Sequence, residues 1–123
     1  MTHTLMLNAA AAAALVLLGA CATSTPPPTN QMAVSNAALA HAVAAGSAEY
    51  APREMGIARE KMVRANLALA SKNNDAALDL AQQAQLDAQL AESKTETAKA
   101  RKSADALDEA SRALREEMSR KPK

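Results

Sequence analysis

Residues 73–98, Asn-Asn-Asp-Ala-Ala-Leu-Asp-Leu-Ala-Gln-Gln-Ala-Gln-Leu-Asp-Ala-Gln-Leu-Ala-Glu-Ser-Lys-Thr-Glu-Thr-Ala, decide how this chain folds. Ala77, Ala81, Ala84, Ala88, Ala91, Thr95 and Ala98 recur at alternating steps of four and three. That is the period of one helix face, and small side chains along it let a neighbouring backbone approach closely. From about Asp75 to Ser119 no Gly or Pro interrupts the pattern. A helix of ~45 residues, ~67 Å long at 1.5 Å per residue, follows.

Just upstream, Lys72-Asn73-Asn74-Asp75 breaks the pattern, with Asn or Asp available as an N-cap. Before it, Met55, Ala58, Met62, Ala65 and Leu69 form a second stripe of the same period. Pro52 disfavours helix at Ala51 and suits the first position of a new one. Gly56 inside this helix costs ~1 kcal/mol relative to Ala. An antiparallel, alanine-faced hairpin of these two helices is expected. The shorter arm reaches ~30 Å and covers only part of the longer one.

Further out, Gln31 to Ala45 reads as a short first helix with Val34, Ala37, Ala38, His41, Ala44 and Ala45 on one face, stopped by Gly46-Ser47. Alternation is absent throughout and β-branched residues are few, so no strand is expected. The predicted fold is all-α: a short first helix, then an Ala-rich hairpin whose last helix is long and projects beyond its partner.

The composition agrees with that fold. Alanine supplies 33 of 123 residues, with one Tyr, no Trp and no Phe. About 18 large apolar side chains remain outside the N-terminal segment, each contributing ~1.5–3 kcal/mol when fully buried. A ligand pocket of ~300–1,000 Å³ with aromatic walls is beyond such a chain. Balanced charge, +1 net, and a single Tyr argue against nucleic acid, which calls for a basic stripe and stacking rings. His41, with no Cys or spaced carboxylate nearby, makes no metal site. Asp75 with Asp79 and Glu92 with Glu96 read as surface pairs, and no nucleophile, base and orienting group form a recognisable triad. Neither catalytic residues nor cofactor are expected.

At the N-terminus, Ala9 to Leu18 is an unbroken apolar run of ten residues, and no charged side chain precedes Glu49. A membrane span needs ~20 such residues, whereas a signal-peptide core needs 7–15. The run ends in Leu18-Gly19-Ala20-Cys21, which carries the chain's single Cys. These four residues resemble a bacterial lipobox. The resemblance implies lipidation of the Cys21 thiol, with Leu18, Gly19 and Ala20 read by the lipoprotein signal peptidase. Ala22 after the Cys implies sorting to the outer membrane, facing the periplasm. The n-region departs from the pattern in having no Lys or Arg.

The expected organisation is therefore a lipoprotein signal peptide over residues 1–20, a lipidated Cys and Pro-rich spacer over 21–30, an Ala-rich helical domain over 31–102, and a charged helix extension and tail over 103–123. Pro26-Pro27-Pro28 fixes φ and removes donors, as a spacer would. In the extension, Asp108 with Arg112, Glu116 with Arg120 and Glu117 with Lys121 are supportive i,i+4 pairs. Its apolar stripe, Ala104, Leu107, Ala110 or Ser111, Leu114 and Met118, reads either as part of a solvated helix or as a seam for a partner, with Leu107, Leu114 and Met118 as the candidate contacts.

The segment Ala48-Glu49-Tyr50-Ala51-Pro52-Arg53-Glu54-Met55, followed by Ala58, Lys61, Ala65, Leu69, Asn74 to Ala77, Ala81, Ala84, Asp87-Ala88 and Ala91, is similar to the domain of unknown function 4398 family. That resemblance spans roughly Ala33 to Lys102 and implies a bacterial envelope lipoprotein, with no catalytic residues to carry over. The expected role is a non-enzymatic structural or protein-interaction element. Expected partners are the membrane, through Cys21, the lipoprotein processing and sorting machinery, and an envelope protein or a second copy of the chain. Two alternatives stand beside it: an alanine-zipper oligomer tethering outer membrane to peptidoglycan, opposed by the turns at Pro52 and Asn73, and an accessory or chaperone-like module.

Overall fold

The computed structural model describes residues 25–120. Four helices make up nearly all of it, and no strand occurs among the described residues. They are α1 (Thr29–Ala44), the single turn α2 (Ser47–Tyr50), α3 (Pro52–Ala70) and α4 (Asn74–Arg120). The last has 47 residues and extends ~70 Å.

Each corner has its own chemistry. Gly46, at φ 87°, lets α1 end and the chain turn back, a left-handed conformation open to Gly at little cost. Pro52 occupies the first position of α3, where its missing N–H is one that the helix leaves unpaired anyway. After α3 the amide of Asn73 donates to the Ala68 carbonyl at 2.9 Å and that of Lys72 to Leu69 at 3.0 Å. Those two bonds make a Schellman stop, with Lys72 at φ 58° where Gly usually sits. Asn73 then caps α4, its Oδ1 accepting from the Ala76 amide at 3.3 Å.

The expected hairpin is present. Met55, Ala58, Met62 and Ala65 of α3 and Ala77, Ala81, Ala84, Ala88, Ala91 and Thr95 of α4 are all buried. The pairing is antiparallel: Lys61 of α3 lies 2.7 Å from Asp87, and Glu54, earlier in α3, is paired with Lys94, later in α4. Apart from Met55, Met62 and Thr95, the buried positions of this interface are all alanine. The helices are held by close backbone approach rather than by interlocked large side chains.

In α1 the predicted face is wrong. Val34 is 48% exposed and His41 is also exposed, whereas Met32, Ser35 and Ala42 are buried, with Ala38 and Leu39 at the edge of the core. Ser35 sets the rotation. Its hydroxyl reaches the Ala81 carbonyl at 2.7 Å and the Gln31 carbonyl at 2.8 Å, so a polar residue sits at 0% exposure without an unpaired group. Gln31 adds a bond from its Nε2 to Gln85 Oε1 at 2.8 Å.

Helix α1 runs parallel to α4. Thr25 meets Asn74 and Asp75 at one end, Ala42 packs with Ala88 and Ala91 further along, and Lys99 reaches Ala45 at the other end. The bundle is up, down, up, with both α1 and α3 laid along the first half of α4. Two apolar layers fill it, one around Met32 and Met62 and one around Met55.

Candidate interaction site

The bundle ends at a polar clasp. Lys99 Nζ donates to the Ala45 carbonyl at 2.6 Å and stands 5.6 Å from the centre of the Tyr50 ring. A cation there meets both the negative end of α1 and an aromatic face. One turn below, the hydroxyls of Thr95 and Ser47 lie 3.0 Å apart, both residues at 0% exposure. Tyr50, half-buried, stands at this corner.

Past the clasp, α4 has no intramolecular neighbour. Every residue from Lys99 to Arg120 is exposed. Ala100 to Arg120 therefore forms a free helix ~31 Å long. The sequence-predicted seam residues stand on it as large exposed apolar groups: Leu107 at 69%, Leu114 at 62% and Met118 at 67%. Two further ones were not anticipated. Leu86 at 63% and Leu90 at 47% lie within the bundle's length, on the side of α4 turned away from α1 and α3. They share a register with the overhang: Leu86, Leu90, Ser93, Thr97, Ala100, Ala104, Leu107, Ser111, Leu114 and Met118 follow steps of four and three without a slip. All ten are exposed. This spacing was available in the sequence, but Ser, Thr and Ala in mid-stripe dilute its hydrophobicity beside the inner alanine face.

The stripe is not an extension of the inner seam. Continuing the buried positions past Thr95 and Ala98 leads to Lys102, Asp105, Glu109 and Arg112. The helix thus changes which side it presents: alanine inward for its first half, a mixed apolar line outward along about its last three quarters.

Four of the carboxylates, Glu54, Asp75, Asp79 and Asp87, have structural partners. Asp75 accepts from the Thr25 hydroxyl and Asp79 from Gln83 at 2.8 Å. Asp87 Oδ2, buried and without a well-angled hydrogen bond, has its charge met by Lys61 at 2.7 Å. The Lys94 ammonium, hydrogen-bonded to Glu54, holds the Glu54 carboxyl below its ordinary range. No group of three metal-ligating side chains occurs among the described residues, and no helix among them is long and apolar enough to cross a membrane. Leu18, Gly19, Ala20 and Cys21 lie outside the described residues.

A parallel and antiparallel three-helix wrap with an alanine core and one overlong helix defines the class. Residues 30–107 match the family described as Domain of unknown function (DUF4398), and the chain belongs to that family. Its fold is similar to the crystal structure of a DUF4398 family protein from Pseudomonas aeruginosa PAO1, 36% identical, covering 76% of this chain and 97% of that one, with a TM-score of 0.71. No curated protein matches the sequence.

Proposed function

We propose that this protein is a non-enzymatic lipoprotein of the cell envelope, attached through Cys21 to the outer membrane on its periplasmic side, and that its work is to present the outer line of α4 to a protein partner. The observation that carries the reading is the polarity of the molecule. Thr25, whose carbonyl accepts from Asn74 Nδ2 at 2.6 Å, lies beside the start of α4, four residues after Cys21 in the sequence. The free helix leaves from the opposite end, past Lys99. A lipid anchor at one end and an exposed apolar line at the other suit a contact element. Stable anchoring takes more than one acyl chain, which the lipobox resemblance supplies.

The alanine-zipper alternative is less well supported, because Ala77, Ala81, Ala84, Ala88 and Ala91 are consumed inside the bundle at 0% exposure. The test is Cys21→Ala. Loss of membrane fractionation and of palmitate labelling is the expected result, and unchanged labelling overturns the lipoprotein reading. Photo-crosslinking from Leu107 and Leu114 tests the contact role, which fails if neither position captures any protein.

A further inference from the structure

The outer line of α4 reads nearly the same in both directions. From the centre at Lys102 outward, Ala100 mirrors Ala104, Thr97 mirrors Leu107, Ser93 mirrors Ser111, Leu90 mirrors Leu114 and Leu86 mirrors Met118. We infer that its occupant is a second copy of this chain, laid antiparallel along residues 86–118 so that each of these positions meets its mirror in the other copy. This names the partner of the contact element proposed above and rests on that reading.

Three observations lead to a second copy in that direction. The first is size matching. Ala100 faces Ala104 and Ser93 faces Ser111, large faces large at both ends, and Thr97 with Leu107 is the one layer of unequal size. The second is composition. Residues 86–118 contain fourteen charged side chains, yet none falls on the ten positions of the line, so nothing charged would be buried in the seam.

The third is charge complementarity at the flanks. On one flank stand Asp87, Lys94, Arg101, Asp108 and Arg115. Antiparallel pairing sets Lys94 against Asp108 of the second copy and brings Arg115 of the second copy to Asp87, whose side chain is 23% exposed while paired with Lys61, each twice by symmetry. Arg101 meeting its own mirror is the one like-charge pair. Lys94 is 52% exposed even while paired with Glu54, so it retains capacity for Asp108. The other flank, Gln89, Glu96, Ser103, Ala110 and Glu117, sets no like charges face to face. A parallel pair would offer only Glu96 with Arg101 as an attractive flank contact, twice by symmetry.

The geometry is sterically open. α1 and α3 lie on the inner side of α4, so the second copy's overhang would rest on the outer side with no element in its way. The overlap is ~48 Å long, and the starts of the two α4 helices stand ~84 Å apart.

The experiment uses the full chain in bacterial membranes, with Leu90→Cys in one copy and Leu114→Cys in a tagged, co-expressed copy, treated with an oxidant or a short bismaleimide. A chain carrying Cys21 alone is the blank. The expected product is the mixed dimer joining positions 90 and 114, with no dimer when either variant is expressed by itself. Asp108→Lys in both copies abolishes the mixed dimer by facing Lys94, whereas Asp105→Lys, on the inner side, leaves it unchanged. A dimer joined 90 to 90, unaffected by Asp108→Lys, overturns the antiparallel pair in favour of a parallel one. No dimer, with a different protein captured from Leu107 and Leu114, overturns the second copy while the contact reading stands. No capture of any kind overturns both.

Discussion

Lys99 closes the bundle by donating across to the Ala45 carbonyl at 2.6 Å. Its ammonium sits where α1 presents unpaired carbonyls and where the Tyr50 ring is 5.6 Å away. Lys99→Met keeps the aliphatic reach and removes the charge. A loss of ~0.5–1.5 kcal/mol is expected for a partly solvated, charge-assisted bond of this kind, measured by urea unfolding. The loss should shrink in high salt.

The two corners make opposite predictions. Gly46 at φ 87° would carry a Cβ whose nearest neighbour is Lys99 Nζ at 3.5 Å, an ordinary contact. The cost of Gly46→Ala is therefore one of backbone conformation, ~1–2 kcal/mol. Lys72 at φ 58° already bears that strain, so Lys72→Gly should stabilise by ~0.5–1 kcal/mol. Thermal melts of both variants check the pair of signs.

Within α3, a Cβ at Gly56 meets nothing within 4 Å. Gly56→Ala should then gain the ~0.8–1 kcal/mol that separates the two residues in a helix interior. A lowered Tm would show that the open space is needed.

On the two sides of α4, substitutions should behave differently. Ala88 is at 0% exposure between α1 and α3, so Ala88→Leu forces the helices apart at ~1–3 kcal/mol or more. Leu107→Ser, at a position 69% exposed, should leave the unfolding free energy of the isolated chain within ~0.5 kcal/mol of wild type. Equal losses would contradict the separation of inner and outer faces.

Acid should act through Glu54. Its carboxyl is held below its ordinary value of 4.5, chiefly by the hydrogen bond from Lys94. A lowered folded-state value means that the pair's contribution is fully present above 4.5 and lost as pH falls through the lowered value. The Tm difference between wild type and Glu54→Gln should accordingly be constant near neutrality and close in acid. A difference that widens in acid would reverse the assignment.

Much of this fold was legible because few residues spoke loudly. Pro52 and the Lys72 to Asp75 break divide the chain, and the alanine steps from Ala77 to Ala91 define the inner face without competition. In α1 the same abundance misleads. Ala33, Ala37, Ala38, Ala40, Ala42, Ala44 and Ala45 occupy nearly every side of the helix, so a hydrophobic count carries no phase. The rotation is set by Ser35, whose hydroxyl finds the Ala81 carbonyl. Nothing local signals that bond. α2, Ser47–Tyr50, is too short to have a period. Of the candidate site, Leu107, Leu114 and Met118 were visible as a narrow stripe, but its backward continuation through Leu90 and Leu86 was hidden by the polar Ser93 and Thr97.

The parallel course of α1 and α4 governs how the molecule would bear a load. A pull on the chain before Thr25, resisted at the far tip of α4, draws the two helices past each other lengthwise. Ser35 with Ala81, Ala42 with Ala88 and Ala91, and Lys99 with Ala45 would then be strained together, in shear, instead of yielding one after another like a zip opened from its end. A thin core of methyl groups becomes mechanically stronger along the axis than its thermodynamic stability would suggest.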